Sequence, residues 1–183
     1  MLLRVPLVLL ASLAGIAVQF YIFHVERQLL LNPGYQAACD FASSGSLPPF
    51  IGSLLQGSSC TKVFSSIYAR PLSHWGVVSP GSDFDLGLPW FGLVYFLTTL
   101  AFPIARRKFP NTAHKFYLAL GIASAGFTIY LASILKFILQ EFCIVCASTY
   151  VLNAICLGAF VLEYRAKEQR MLDAAGGREK KKQ

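Results

Sequence analysis

Two cysteines three residues apart, in Glu141-Phe142-Cys143-Ile144-Val145-Cys146, have the spacing of a dithiol that can close to a disulfide and so exchange two electrons. They stand at the opening of a long apolar run. A thiol near a helix N-terminus feels the positive end of the backbone dipole, which favours the thiolate, the nucleophilic form. The next polar side chains along that run are Ser148, Thr149, Tyr150 and Asn153. At about 100° per residue, Cys143, Cys146, Tyr150 and Asn153 fall along one helix face, with Tyr150 one turn and Asn153 two turns beyond Cys146. Polar groups in a spanning helix avoid lipid, so the stripe is expected to face a pocket inside a bundle, thiols at the mouth and phenol and amide deeper. Interhelical hydrogen bonding is the competing use of Tyr150 and Asn153, and the stronger one for Asn153. Cys156 lies about 80° round the helix from Cys146 and reads as a small buried apolar residue.

The elements that must hold these residues are apolar helices. Of 183 residues 55% are apolar and 14% charged, and the apolar residues are gathered in charge-free blocks at 6–23, 86–105, 116–135 and 142–162. A bilayer core about 30 Å thick takes about 20 residues of helix, so each block is long enough to span. The first is expected to be retained rather than cleaved as a signal, since little basic charge precedes it and no small-x-small site follows. The chain therefore reads as an all-α bundle of four transmembrane helices at about 6–23, 86–105, 116–139 and 142–162. A loop at about 24–85 would cap the pocket. Residues 1–167 form a single membrane domain and 168–183 a basic tail.

The net charge of +7 is distributed by topology. Arg106, Arg107, Lys108 and Lys115 lie between the second and third blocks, and seven more basic residues follow the fourth, whereas 24–85 carries Arg27, Lys62 and Arg70 alone. The positive-inside rule then places both termini in the cytoplasm and the long loop opposite, with no call for a nucleic-acid partner. Cys39, Cys60, Cys143 and Cys146 all face one non-cytoplasmic compartment, where disulfides persist. Three uses of four such cysteines stay open: redox exchange between a loop pair and a pocket pair, a four-cysteine zinc site, or two stabilising disulfides.

Within the loop, Asn32-Pro33-Gly34 breaks the continuation of helix one, and the apolar but proline-broken stretch 47–55 reads either as a segment that rests on the membrane or covers the bundle, or as a disordered insertion. Gly87-Leu88-Pro89-Trp90-Phe91-Gly92 opens helix two, with proline in the first turn and tryptophan at headgroup level. Small residues of helix three, Gly121, Ser124, Ala125, Gly126, Thr128 and Ser133, allow close helix approach. Lys136 can snorkel to the interface toward Glu141.

Phe142-Cys143-Ile144-Val145-Cys146 followed by Thr149-Tyr150 and Asn153, with Cys60-Thr61-Lys62-Val63-Phe64-Ser65-Ser66, Cys39-Asp40 and His24-Val25-Glu26-Arg27 upstream, resembles the vitamin K epoxide reductase family over roughly residues 5 to 165. The resemblance implies that Cys146 attacks a quinone or its epoxide and Cys143 resolves the adduct. It implies that Cys60 exchanges with Cys143, and that Cys39 meets a thioredoxin-like luminal partner. Tyr150 would bind a substrate oxygen and Phe64 would cap the pocket; Leu88, Phe91 and Asn153 complete the expected substrate contacts. No metal and no tightly bound cofactor is expected, the quinone being a substrate. Two departures stand out: 20 residues separate Cys39 from Cys60, where animal members have a short segment, and Leu88 stands where they carry a hydrogen-bonding asparagine. The second makes a quinone, easier to reduce than an epoxide, a plausible substrate.

Lys180-Lys181-Lys182-Gln183 looks like a dilysine retrieval signal, so the expected location is the endoplasmic reticulum membrane. The function expected is thiol-dependent reduction of vitamin K epoxide or related quinones. A quinone-coupled enzyme making disulfides for oxidative folding is the alternative in the same class, and a non-catalytic cysteine-stapled or metal-binding membrane scaffold the alternative outside it.

Overall fold

The structure, a computed structural model, describes residues 4–32, 34–40, 59–82 and 84–180, with side chains through residue 173. The stretch 47–55 and the last three residues of the basic terminus lie outside the described residues. Among the described residues seven α-helices run in chain order: α1 Arg4–Leu31, α2 Cys60–Phe64, α3 Pro71–His74, α4 Leu88–Leu100, α5 Phe102–Lys108, α6 Ala113–Ser133 and α7 Ile144–Lys180. A single 3-10 turn at Ile67–Ala69 joins α2 to α3, and α6 ends in a π-helical turn at Ile134–Leu139. Among the described residues there is no strand.

Among the described residues three helices are long and apolar enough to cross a membrane, and the pair α4 and α5, bent by 47° at Ala101, makes a fourth crossing when taken as one span. The expected straight helix at 86–105 is thus corrected to a broken one. Pro103 lies in the first turn of α5, where its ring fixes φ and supplies no N–H to continue the ladder from α4. α1 continues beyond its apolar block to Leu31, up to the expected break at Asn32, and Val25 on that continuation is fully buried against the cysteine-bearing loop. One boundary moves. α7 begins at Ile144, two residues later than expected, and continues to Lys180, so the segment read as a tail from 168 extends the helix. Its 37 residues span about 55 Å, well beyond a hydrocarbon core.

α1 lies against both α4 and α7, and α6 against α7. The buried stripe of α1, Val8, Ala11, Ser12, Gly15, Gln19, Ile22 and Val25, recurs every three or four residues as a single helix face must. Close approach is enforced at Gly15, where a Cβ would stand 2.4 Å from the Phe96 ring, and is fixed by the Ser12 to Thr99 hydroxyl hydrogen bond at 2.8 Å.

The packed interior divides into two clusters. One, at the basic end, gathers Val8, Phe96, Phe102, Tyr117, Cys156 and Phe160. At that end Glu163 of α7 pairs with Arg106 at 3.0 Å and Arg4 at 3.8 Å. The other cluster gathers Ile22, Val25, Cys39, Cys60, Phe64 and Cys143 at the opposite end. There Glu141 takes Lys62 Nζ at 2.6 Å, and Arg70 holds Asp85 at 3.4 Å. Lys136 therefore does not reach Glu141; its ammonium lies 5.6 Å from the Phe137 ring, because α2 brings Lys62 to the carboxylate first.

Candidate active site

The turn between α6 and α7 sets the thiols. Gln140 adopts a left-handed conformation at φ 52° and reverses the chain. Cys143, expected on the helix, is instead the residue just before it: its carbonyl accepts from Ala147 N–H at 2.9 Å and its Sγ from Cys146 N–H at 3.3 Å. This is the N-cap arrangement, with sulfur in place of the usual oxygen. The polar stripe is corrected accordingly: Cys146, Tyr150 and Asn153 share the helix face, while Cys143 sits over its end. The Cys146 thiol donating to Cys143 holds the Cys143 thiol below its ordinary pKa; burial opposes this, and the backbone amides of Cys146 and Val145 assist.

The loop cysteines sit directly above. Cys39 and Cys60 are joined in a disulfide, while Cys143 and Cys146 carry free thiols. Cys143 Sγ lies 3.7 Å from Cys60 Sγ, so the free thiol abuts one sulfur of the loop disulfide. Several contacts hold this approach. Asp40 accepts from Thr61 N–H at 3.1 Å and from the Thr61 hydroxyl, binding the Cys39 segment to α2. Ser59 N–H donates to the Phe142 carbonyl at 3.0 Å, and the Lys62 to Glu141 ion pair adds a second tie between α2 and the turn. Cys39 is only 5% exposed and Cys60 fully buried.

Beneath α2 a cavity of about 250 Å³ opens between α1, α4, α6 and α7. Cys146, Tyr150, Asn153, Leu88, Phe91 and Phe64 all line it, so the structure brings together at one place every substrate contact expected from the sequence. Val63 and Phe64 close its upper side, making α2 the described part of the cap. Cys143, Cys60 and Cys39 are not part of the cavity lining and follow from Cys146 by successive contacts. The Tyr150 hydroxyl is buried without a hydrogen-bond partner. Asn153 donates to the Thr128 hydroxyl at 3.0 Å, the interhelical bond weighed from the sequence, yet its side-chain oxygen is left unpaired in the same cavity. Cys156 packs among Phe96, Phe102 and Phe160 and takes no part.

The lining also includes Gln19 and Tyr95, which the sequence reading passed over. A signal was present for Gln19: it is the one carboxamide in the first charge-free block, and intramembrane polar residues face a bundle interior or cavity.

A half-buried thiol beside an apolar cavity, backed by a buried second thiol touching a disulfide, suits two-electron chemistry on an apolar acceptor. A model of the vitamin K epoxide reductase family matches residues 6–161. This chain belongs to that family. Among curated proteins it is 31% identical over 145 residues to vitamin K epoxide reductase complex subunit 1 of Rattus norvegicus, covering 78% of this chain and 79% of that one. To the Mus musculus protein of the same description it is 31% identical over 157 residues, 84% of each. The protein is accordingly a membrane oxidoreductase of vitamin K epoxide reductase type, an all-α bundle in which Val63 and Phe64 of α2 close one side of the cavity.

Proposed function

We propose that this family member reduces vitamin K-type quinones or their epoxides, with Cys146 as the attacking thiol. The observation that carries this reading is one cavity holding both the Cys146 thiol and the unpaired Tyr150 hydroxyl, with Cys143 between it and the Cys39–Cys60 disulfide. On a quinone, the Cys146 thiolate adds to a ring carbon, forming a C–S bond and moving an electron pair onto a carbonyl oxygen. Tyr150 donates a hydrogen bond to that oxygen. The Cys143 thiolate then attacks Cys146 Sγ: an S–S bond forms, the C–S bond breaks, and its electron pair stays with the ring. The two thiol protons end on the two oxygens, giving hydroquinone and a Cys143–Cys146 disulfide.

Recharging uses the loop pair in reverse order. With Cys39 and Cys60 reduced, the Cys60 thiolate attacks Cys143 and releases Cys146. Cys39 then attacks Cys60, releases Cys143, and leaves the Cys39–Cys60 disulfide. The arrangement with the loop pair closed and the pocket pair free corresponds to the end of that sequence. A thioredoxin-like dithiol protein reopens the loop disulfide, and since Cys39 is buried, that contact needs the surrounding segment to move. Electrons come from thiols throughout, so no bound cofactor is required. We read both termini as cytoplasmic and the cysteines as facing the lumen of the endoplasmic reticulum; the distribution of basic charge and the lysine-rich terminus support that reading.

Zinc is disfavoured in this state, since the linked Cys39 and Cys60 offer no thiolates. A second reading shares every residue: the closed Cys39–Cys60 disulfide is what a quinone-coupled enzyme would hand to a folding partner. The deciding experiment assays purified protein with dithiothreitol against a panel of quinones and vitamin K epoxide. Turnover ranks the substrates; none with any of them sinks the proposal. Because both readings oxidise a thioredoxin-like dithiol at the expense of the acceptor, the acceptor separates them: turnover of quinones with none of vitamin K epoxide would favour the second reading.

A further inference from the structure

Leu88 offers the cavity no hydrogen bond, yet the wall it belongs to is not wholly apolar. Gln19 of α1 faces the same space one helix away, is 2% exposed, and its side-chain nitrogen has no hydrogen-bond partner. A buried carboxamide N–H without an acceptor is unfavourable in a low-dielectric interior, so a site that keeps one is expected to satisfy it in another state. α4 leaves room for it: a Cβ on Gly92 would stand 2.5 to 2.8 Å from the Gln19 carboxamide atoms, so any side chain there would displace the amide. Ile22, Leu88 and Phe96 line the same cavity and offer the amide no side-chain acceptor.

We propose that Gln19 is a substrate-binding residue that presents its side-chain N–H to a ring oxygen of the quinone, supplying from α1 the donor absent at Leu88. This rests on the quinone reading above. A 1,4-dione carries two oxygens on opposite sides of its ring, and two donors on different helices, Tyr150 of α7 and Gln19 of α1, can fix the ring's orientation against Cys146. The charge that moves onto oxygen when the thiolate adds is then met by an N–H that nothing else has engaged.

The test uses the purified full chain, dithiothreitol and menadione, with thermal unfolding recorded for each variant. Gln19→Leu keeps the volume and removes the donor; kcat/KM for menadione is expected to fall about tenfold, the factor associated with one buried hydrogen bond. Gln19→Glu supplies a second readout that a packing role would not produce. Its carboxyl donates when neutral and repels the oxygen when ionised, so the ratio of variant to wild-type kcat/KM is expected to fall as pH rises through that carboxyl's titration. Should Gln19→Leu fail to fold, the pH dependence of the Gln19→Glu ratio decides alone. An active wild type with Gln19→Leu within twofold of it, or a Gln19→Glu ratio flat with pH, overturns this inference and leaves the quinone reading standing. A wild type that reduces neither menadione nor vitamin K epoxide overturns both.

Discussion

Cys146 and Cys156 sit on the same helix ten residues apart, and their surroundings assign them opposite fates. Around Cys156 the bundle is closed: Phe96, Phe102 and Phe160 pack against a fully buried thiol, and ion pairs between Glu163 and two arginines seal the end beyond. Around Cys146 the bundle stands open, with a cavity on one side and on the other a second thiol capping the helix. The same side chain packs tightly where neighbouring rings fill the space and borders open space where the bundle leaves a cavity beside the helix end.

The largest effect should come from exchanging these fates by mutation. Cys146→Ala is expected to abolish dithiothreitol-driven quinone reduction by purified protein, whereas Cys156→Ala should leave the rate within about twofold and cost about 1 kcal/mol of stability as a small cavity. Retained turnover in the first, or lost turnover in a folded second, would erase the contrast. Next in size is the relay above the cavity. Cys39→Ala should spare turnover with dithiothreitol, which reaches the pocket pair directly, and sharply reduce it with a protein dithiol; equal loss with both would remove the relay.

A smaller effect concerns acidity at the open end. The Cys143 thiol is held below its ordinary pKa chiefly by the Cys146 thiol, so Cys146→Ala should move the thiolate absorbance titration of Cys143 upward. A depressed pKa stabilises the fold above the ordinary thiol range and loses that contribution as pH falls through the lowered value, so the variant's stability advantage at alkaline pH should shrink. An unmoved titration would mean that the helix amides alone set it. Smallest is the tie between α2 and the turn: Lys62→Ala breaks a 2.6 Å ion pair whose lysine is 68% exposed, worth under about 1 kcal/mol. Its measurable consequence should be slower exchange between Cys60 and Cys143 with a protein reductant, and an unchanged exchange rate would show that the Ser59 and Asp40 hydrogen bonds suffice.

Much of the architecture was legible because lipid imposes simple demands on sequence. Charge-free blocks of about 20 residues mark spans, and Tyr150 and Asn153 at helical spacing from Cys146 mark the side facing inward. What failed was local. Pro103 breaks a span whose composition reads as continuous, because hydropathy does not register a missing N–H. Cys143 left the stripe because a helix boundary two residues later turns a face residue into a cap, an error within the usual uncertainty of helix ends. Gln19 was overlooked because a lone amide in an apolar run signals burial without saying against what.

The sequence by itself determined that a dithiol stands at the end of an apolar helix and that a phenol lies one turn below the second thiol. Covalent order and helical period are enough for that. Only the tertiary structure decided which thiol faces which neighbour. α2, tied by Asp40, Ser59 and Lys62, carries Cys60 to 3.7 Å from Cys143, and α1 and α4 close on Cys146 to leave a cavity and an unpaired glutamine in its wall. Those distances depend on contacts between segments 20 to 130 residues apart in the chain, and no local pattern encodes them.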